Sequence, residues 1–221
     1  MSTTPDRHLD LGCGSVPRNP YGRSELCGVD IQLLELPGID YRSANMSIEP
    51  IPFPDNHFQS VSAFDFIEHV PRILPLADGS GTRFPFIELM NEVWRVLAPG
   101  GLFYAITPAF PDPDAFVDPT HVNIITDQTH TYFCGDEPKG AMYGFIGRFE
   151  AERVLWVHGP SCYDANDVNG SANRLTRLPS RHAGSKGLSR ELRALSRRLR
   201  GKQDSEKSRR SSLLWEFTVV K

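Results

Sequence analysis

An acidic residue and two glycines lie close together near the start of the chain, in the segment His8-Leu-Asp-Leu-Gly-Cys-Gly14. The leucines on either side of Asp10 are typical of a buried parallel strand, and Gly12 and Gly14 predict a tight turn at its end. Glycines lack a Cβ atom, so a ligand can approach the backbone closely. Open α/β sheets bind nucleotide-like ligands at such turns, although an ordinary strand-to-loop turn has the same pattern.

The residues after the turn narrow the kind of ligand. Ser15, Val16 and Pro17 stand where a dinucleotide fingerprint would need a third glycine, and no Walker lysine is present. The turn therefore favours a ligand without a pyrophosphate. Asp30 ends the next strand-like run, where a carboxylate can accept hydrogen bonds from two ribose hydroxyls or can simply cap the strand.

Two later segments make the pattern more specific. Residues 51–61 (Ile-Pro-Phe-Pro-Asp-Asn-His-Phe-Gln-Ser-Val) lead into Phe64-Asp-Phe-Ile-Glu-His-Val70, and a helix signal ends in Ala98-Pro-Gly-Gly101. In this order, from His8 to about Pro108, the segments resemble class I S-adenosylmethionine-dependent methyltransferases. The resemblance implies an α/β fold, with a Rossmann-like, mostly parallel seven-stranded sheet, an antiparallel final strand and helices on both faces.

The resemblance also implies the cofactor, S-adenosyl-L-methionine, and the residues that bind it. The methionine part would face the first strand and its turn, the ribose the second strand, the adenine the loop after the third strand, and the sulfonium the end of the fourth. In that order the implied residues are Asp10, Gly12, Cys13 and Gly14; Asp30; Asn45 and Met46; and Phe64, Glu68 and His69. The sequence departs from the family at Asn45, where an aspartate is frequent.

The elements that must position these residues are visible as apolar runs. Phe86, Leu89, Met90, Val93 and Trp94 recur at three- and four-residue spacing and predict a helix that ends before Pro99. Flanked by two strand-like runs, this helix predicts a βαβ unit and hence parallel strands. The predicted strands are His8–Leu11, Leu26–Asp30, Ile39–Arg42, Ser60–Asp65, Leu102–Thr107, Arg153–Val157 and Leu214–Val220.

Candidate catalytic residues lie after the fifth of these strands. His121 follows Asp118 by three residues in a proline-turned loop, and Asp118 is predicted to orient His121 as a general base for a hydroxyl acceptor. The equally open alternative is that Asp118 caps a turn and His121 packs structurally. Tyr132 and Tyr143 are candidates for stacking on the substrate, or for ordinary core packing. The residues favour no metal site.

Composition predicts one domain over residues 1–221. No signal peptide or membrane-spanning run is evident, and Cys13, Cys27, Cys134 and Cys162 are scattered, which favours the cytoplasm.

A basic insertion at about residues 165–212 interrupts the domain before the final strand. From Ser171 to Ser212 there are thirteen Lys and Arg against three Asp and Glu, whereas the whole chain has a net charge of −3. We expect partial disorder and one amphipathic helix at 188–199, which would contact a membrane surface or a protein partner. Nucleic acid is less favoured because no aromatic residues are interleaved with the arginines. Oligomerisation is also open.

The expected function is methyl transfer to a hydroxyl of a small molecule or glycan. One alternative is an RNA or protein methyltransferase that uses the basic insertion to bind its substrate. Another is a non-catalytic subunit that binds S-adenosylmethionine without transferring a methyl group.

Overall fold

A seven-stranded sheet forms the centre of the protein. The computed structural model describes residues 6–157, 160–163 and 212–221, and the sheet has the order β3-β2-β1-β4-β7-β9-β8. Its strands are β1 (Arg7–Leu11), β2 (Glu25–Asp30), β3 (Asp40–Ser43), β4 (Phe58–Phe64), β7 (Leu97–Pro108), β8 (Phe149–Val157) and β9 (Ser212–Val219). A small hairpin, β5 (Leu74–Pro75) and β6 (Thr82–Arg83), precedes helix α1 (Pro85–Val96).

The directions of the strands bring their ends together. Strands β3, β2, β1, β4 and β7 pair in parallel, whereas β9 is antiparallel to both of its neighbours, β7 and β8. The predicted mostly parallel sheet with an antiparallel final strand is confirmed. The carboxyl ends of β1, β2, β4 and β7 consequently lie along one edge of the sheet, where open α/β sheets bind their ligands.

Alternating side chains of the strands build a core on each face. Phe103 of β7 and Trp215 of β9 are buried on the face that α1 covers, while Tyr104 and Leu214 are buried on the other. Helix α1 buries an apolar stripe against the first face: Phe86, Leu89, Met90, Val93 and Val96.

The expectation of helices on both faces needs correction, because α1 is the one α-helix among the described residues. The connection from β1 to β2 contains Pro17 and Pro20, which interrupt helical hydrogen bonding, and the connection from β2 to β3 spans only residues 31–39. Tyr21 and Tyr163 pack on the second face instead, the latter from the 3₁₀ turn Pro160–Tyr163.

The Pro-Gly segment after α1 lies within β7 rather than before it. Pairing between β4 and β7 shifts between Phe58 and Ser60, so that residues 98–101 form an irregularity at the start of the strand. Residues 164–211, which include nearly all of the predicted insertion and its helix at 188–199, lie outside the described residues. Within the described residues, no helix has the length and apolarity needed to cross a membrane.

Candidate active site

The glycine turn after β1 combines tight packing with open space. Gly12 and Gly14 have φ angles of 64° and 53°, in the left-handed region that favours glycine. A Cβ atom on Gly12 would lie 2.5 Å from the Phe66 ring, whereas one on Gly14 would meet no atom of the described residues within 4 Å. Gly12 is thus needed for packing against Phe66, and Gly14 leaves the backbone accessible to a ligand.

Asp30 connects this turn to the end of β2. Its Oδ2 accepts a hydrogen bond from the backbone N–H of Gly14 at 2.9 Å, and its Oδ1 accepts one from Gln32 at 3.0 Å. Each carboxylate oxygen has a second lone pair, so Asp30 can still accept hydrogen bonds from a ligand. Its assignment to the ribose stays a prediction.

Asp10 is buried on β1 and is held from two sides. Its Oδ2 accepts a hydrogen bond from the backbone N–H of Arg18 at 2.8 Å, and its Oδ1 accepts one from the Ser62 hydroxyl at 2.6 Å. Burial raises the pKa of the Asp10 carboxyl to about 7, against these two hydrogen bonds, which lower it.

A buried histidine, His8, is linked to Asp10 through the Ser62 hydroxyl, and the sequence alone did not indicate it. The Ser62 hydroxyl donates a hydrogen bond to Asp10 and therefore accepts one from His8 Nε2 at 2.8 Å. His8 Nδ1 lies 2.8 Å from the Ser60 hydroxyl. Burial lowers the pKa of His8 to about 3, so the ring is neutral. The available signal was the position of His8, two residues before Asp10 and hence on the same face of β1.

The other predicted cofactor residues lie in the turn after β1, at the end of β4 and in the loop after β3. Cys13 is buried beside Gly28, and the Arg18 guanidinium lies 5.1 Å from the centre of the Phe64 ring, which ends β4. Asn45 Oδ1 accepts a hydrogen bond from Ser47 N at 3.2 Å, whereas Met46 packs into the core. The adenine contacts predicted for Asn45 and Met46 stay predictions.

A polar centre lies at the same edge of the sheet, after β4 and β7. Glu68 is buried, and its Oε2 accepts a hydrogen bond from the Thr107 hydroxyl at 2.9 Å. Its Oε1 has no hydrogen-bond partner among the described residues and lies 4.0 Å from His121 Nε2. Burial raises the pKa of the Glu68 carboxyl to about 8. His69 completes the centre, with its ring centroid 4.8 Å from that of His121.

The structure brings the predicted catalytic pair close without a direct hydrogen bond. Asp118 Oδ2 lies 4.0 Å from His121 Nε2, whereas His121 Nδ1 lies 3.2 Å from the Ala115 carbonyl oxygen. The carbonyl of Ala115 therefore orients the ring, and Asp118 contributes a nearby negative charge. Glu68 was assigned to the cofactor from the sequence, and its proximity to His121 became visible only in the structure.

Aromatic side chains line two further surfaces. The rings of Tyr132 and Tyr143 stack with centroids 6.3 Å apart, and both side chains are partly exposed. A separate cavity of about 370 Å³ lies between the end of β8 and the loop after β7. Its lining residues are Phe110, Pro111, Thr126, Asp127 and Trp156.

Comparison with known proteins agrees with this arrangement. Residues 9–105 match the family model of the methyltransferase domain. A S-adenosylmethionine-dependent methyltransferase from Archaeoglobus fulgidus has a similar fold, with a TM-score of 0.54 and 14% sequence identity over 97% of this chain and 86% of that one. A complex of the Haloferax volcanii Trm112 methyltransferase activator with a methyltransferase also matches, with a TM-score of 0.52 and 14% identity over 100% and 86%. No curated protein sequence matches significantly.

Residues 9–105 therefore form a methyltransferase domain, and the strand order agrees with the fold of S-adenosylmethionine-dependent methyltransferases. The cofactor of this enzyme class is S-adenosylmethionine.

Proposed function

We propose that this enzyme transfers a methyl group from S-adenosylmethionine to a hydroxyl oxygen of a small molecule or glycan. The observation that supports a hydroxyl acceptor is the polar centre of Glu68, His69 and His121. It follows β4 and β7, at the same edge of the sheet as the glycine turn. Methyl transfer to a hydroxyl releases a proton, and this centre offers lone pairs that can receive it.

The residues around the turn fit the cofactor. The open space beside Gly14 admits a ligand against the backbone, and the free lone pairs of Asp30 suit vicinal hydroxyls. The bound cofactor supplies an electrophilic methyl carbon for an in-line displacement. The protein contributes mainly the positions of the two reactants.

His121 is the proposed general base. Its Nδ1 donates to the Ala115 carbonyl, so the lone pair of the neutral ring is on Nε2. As the new C–O bond forms and the C–S bond breaks, Nε2 takes the hydroxyl proton and a thioether is left. The negative charge of Asp118, 4.0 Å away, stabilises the resulting imidazolium.

The acceptor is proposed to lie against aromatic surfaces of the chain. The partly exposed rings of Tyr132 and Tyr143 suit the apolar face of a sugar or another flat molecule. The cavity between the end of β8 and the loop after β7 would add Phe110 and Trp156 together with the carboxylate of Asp127. Pockets of this kind combine apolar walls with a few polar groups that fix orientation.

Replacing His121 tests this proposal. The variant His121→Gln should lower kcat by about 100-fold or more, because general-base catalysis contributes at least that much, while cofactor affinity stays within about twofold. The measurement is formation of the thioether product with a panel of sugars and hydroxylated small molecules. His130→Gln is a matched control, since His130 Nδ1 also contacts a backbone carbonyl, that of Asp127. Unchanged turnover in His121→Gln would remove the general base from the mechanism.

The cellular location, the partner of the basic insertion and an alternative acceptor are further parts of the proposal. A cytoplasmic location and a contact between the basic helix at 188–199 and a membrane surface or protein partner stay predictions. An RNA or protein acceptor is the alternative that the basic insertion supports. Such an acceptor would make activity sensitive to salt, because phosphate or carboxylate contacts are screened by ions.

A further inference from the structure

Glu68 presents a buried oxygen without a partner. The residue is 1% exposed, its Oε2 is bound by Thr107, and Oε1 has no hydrogen-bond partner among the described residues. Leaving a buried carboxylate oxygen unpaired costs free energy, so a ligand at this point would be favoured. Oε1 faces His121 Nε2 at 4.0 Å.

The hydrogen bonds of His69 and His121 leave the lone pair of each neutral ring on Nε2. His121 Nδ1 contacts the Ala115 carbonyl at 3.2 Å, and a carbonyl can only accept, so Nε2 carries the lone pair. His69 Nδ1 lies 2.9 Å from the hydroxyl of Thr120, whose own proton is donated to Asp118 Oδ1. His69 Nδ1 must therefore donate, which leaves the lone pair of this ring on Nε2 as well. Histidines that bind metal ions are oriented in this way by a hydrogen bond from the other ring nitrogen.

The three groups are close enough to share one ion. One ligand atom from each of Glu68, His69 and His121 lies within 4.8 Å of the others. In a tetrahedral site with bonds of about 2.1 Å, ligand atoms are roughly 3.4 Å apart, so side-chain movements of about 1 Å would close the site. Asp118 Oδ2, 4.0 Å from His121 Nε2, is available as a fourth ligand or as a base.

We propose that Glu68, His69 and His121 form a binding site for a divalent cation. Two imidazole nitrogens and a carboxylate oxygen suit first-row transition ions such as Mn²⁺, Co²⁺ or Zn²⁺. The inference rests on the proposed function for its chemical role: the cation would hold the acceptor hydroxyl and lower its pKa.

The cation changes the role of His121. Nε2 cannot bind an ion and take a proton at once, so in the loaded enzyme His121 is a ligand rather than the base. The hydroxyl proton then passes to the exposed carboxylate of Asp118, while the C–O bond forms and the C–S bond breaks as before. The acceptor would be a hydroxyl compound that can coordinate the ion, such as a sugar diol.

Titration of the metal-stripped full chain with Co²⁺ tests the site, because nitrogen-bound Co²⁺ gives a visible absorption band without any need for turnover. We expect one ion per chain and a loss of at least about tenfold in affinity in Glu68→Gln and His121→Gln. Thr120→Val should cause a smaller loss, because it removes the hydrogen bonds of the Thr120 hydroxyl to His69 and Asp118 but no ligand atom. Calorimetry with Mn²⁺ repeats the comparison.

The control is His130→Gln, which should bind Co²⁺ as the wild type does. Absence of binding, or equal binding by the wild type and Glu68→Gln, would overturn the inference. Calorimetry of the metal-stripped protein with S-adenosylmethionine separates the two proposals. Cofactor binding without Co²⁺ binding contradicts the cation site alone, whereas failure to bind the cofactor contradicts the proposed function.

Discussion

At the scale of single residues, Asp10 shows how the sheet holds a polar group next to its ligand edge. The carboxyl is 2% exposed and receives hydrogen bonds from Arg18 and Ser62, and Ser62 is in turn held by His8. This chain of hydrogen bonds fixes the Asp10 side chain before any ligand arrives. Such fixed positions reduce the ordering that binding would otherwise require.

The raised pKa of Asp10 predicts a pH-dependent stability. The folded protein keeps this proton up to about pH 7, whereas the unfolded chain loses it near 3.8, so the contribution of Asp10 to stability falls as pH rises between these values, by up to about 4 kcal/mol. Urea unfolding between pH 4.5 and 7.5 should therefore show a less negative slope of unfolding free energy against pH in Asp10→Asn than in the wild type.

Two other buried groups also have pKa values that change on folding, and both contribute to the slope of unfolding free energy against pH. Glu68 has a raised pKa and contributes with the same sign as Asp10, while His8 has a lowered pKa and contributes with the opposite sign. Both are present in the wild type and in Asp10→Asn, so the difference between the two slopes reports Asp10 and its hydrogen-bonded link to His8 through Ser62. Equal slopes in the two proteins would show that burial does not raise the pKa of Asp10.

At the scale of elements, the three glycines of the connection between β1 and β2 differ in how closely they are packed. Gly12, Gly14 and Gly22 all have positive φ, but among the described residues only Gly12 has a neighbour, Phe66, where a Cβ would be. Gly12→Ala should lower the free energy of unfolding by about 2–4 kcal/mol, since strain and overpacking add. Gly14→Ala and Gly22→Ala should each cost about 1 kcal/mol.

Cofactor affinity distinguishes the two milder variants. Gly14→Ala should weaken cofactor binding because its methyl group would enter the open space beside the turn, whereas Gly22→Ala should not. Thermal unfolding with and without S-adenosylmethionine measures both effects. A Gly14→Ala protein stabilised by the cofactor as strongly as Gly22→Ala would place the cofactor elsewhere.

Much of the sheet was predictable because its information is local. Strand β1, its glycine turn and Asp30 follow from short runs of residue types, and the order of the motifs implied the parallel strands. The absence of a helix between β1 and β2 could also have been predicted, since Pro17 and Pro20 interrupt this connection. The proximity of Glu68 and His121 could not be predicted, because it depends on how the loop after β7 folds and on the Ala115 carbonyl that orients the His121 ring.

At the scale of the whole molecule, the strand order places the cofactor turn and the polar centre along one edge. The sheet order β2-β1-β4-β7 places Asp30 at the end of β2, the glycine turn after β1, Glu68 after β4 and the loop after β7 along this edge. The proposed binding and chemistry would therefore both depend on the carboxyl edge of this sheet.

Calorimetric titration with S-adenosylmethionine tests the central claim most directly. We predict one cofactor bound per chain, with affinity reduced about tenfold or more in Asp30→Asn, because hydrogen bonds to a charged group contribute about 1.5–3 kcal/mol. Asp40→Asn is the matched control, since Asp40 is exposed at the start of β3, away from the ligand edge, and should bind normally. Absence of binding by the folded protein, or equal affinity in Asp30→Asn, would contradict the account.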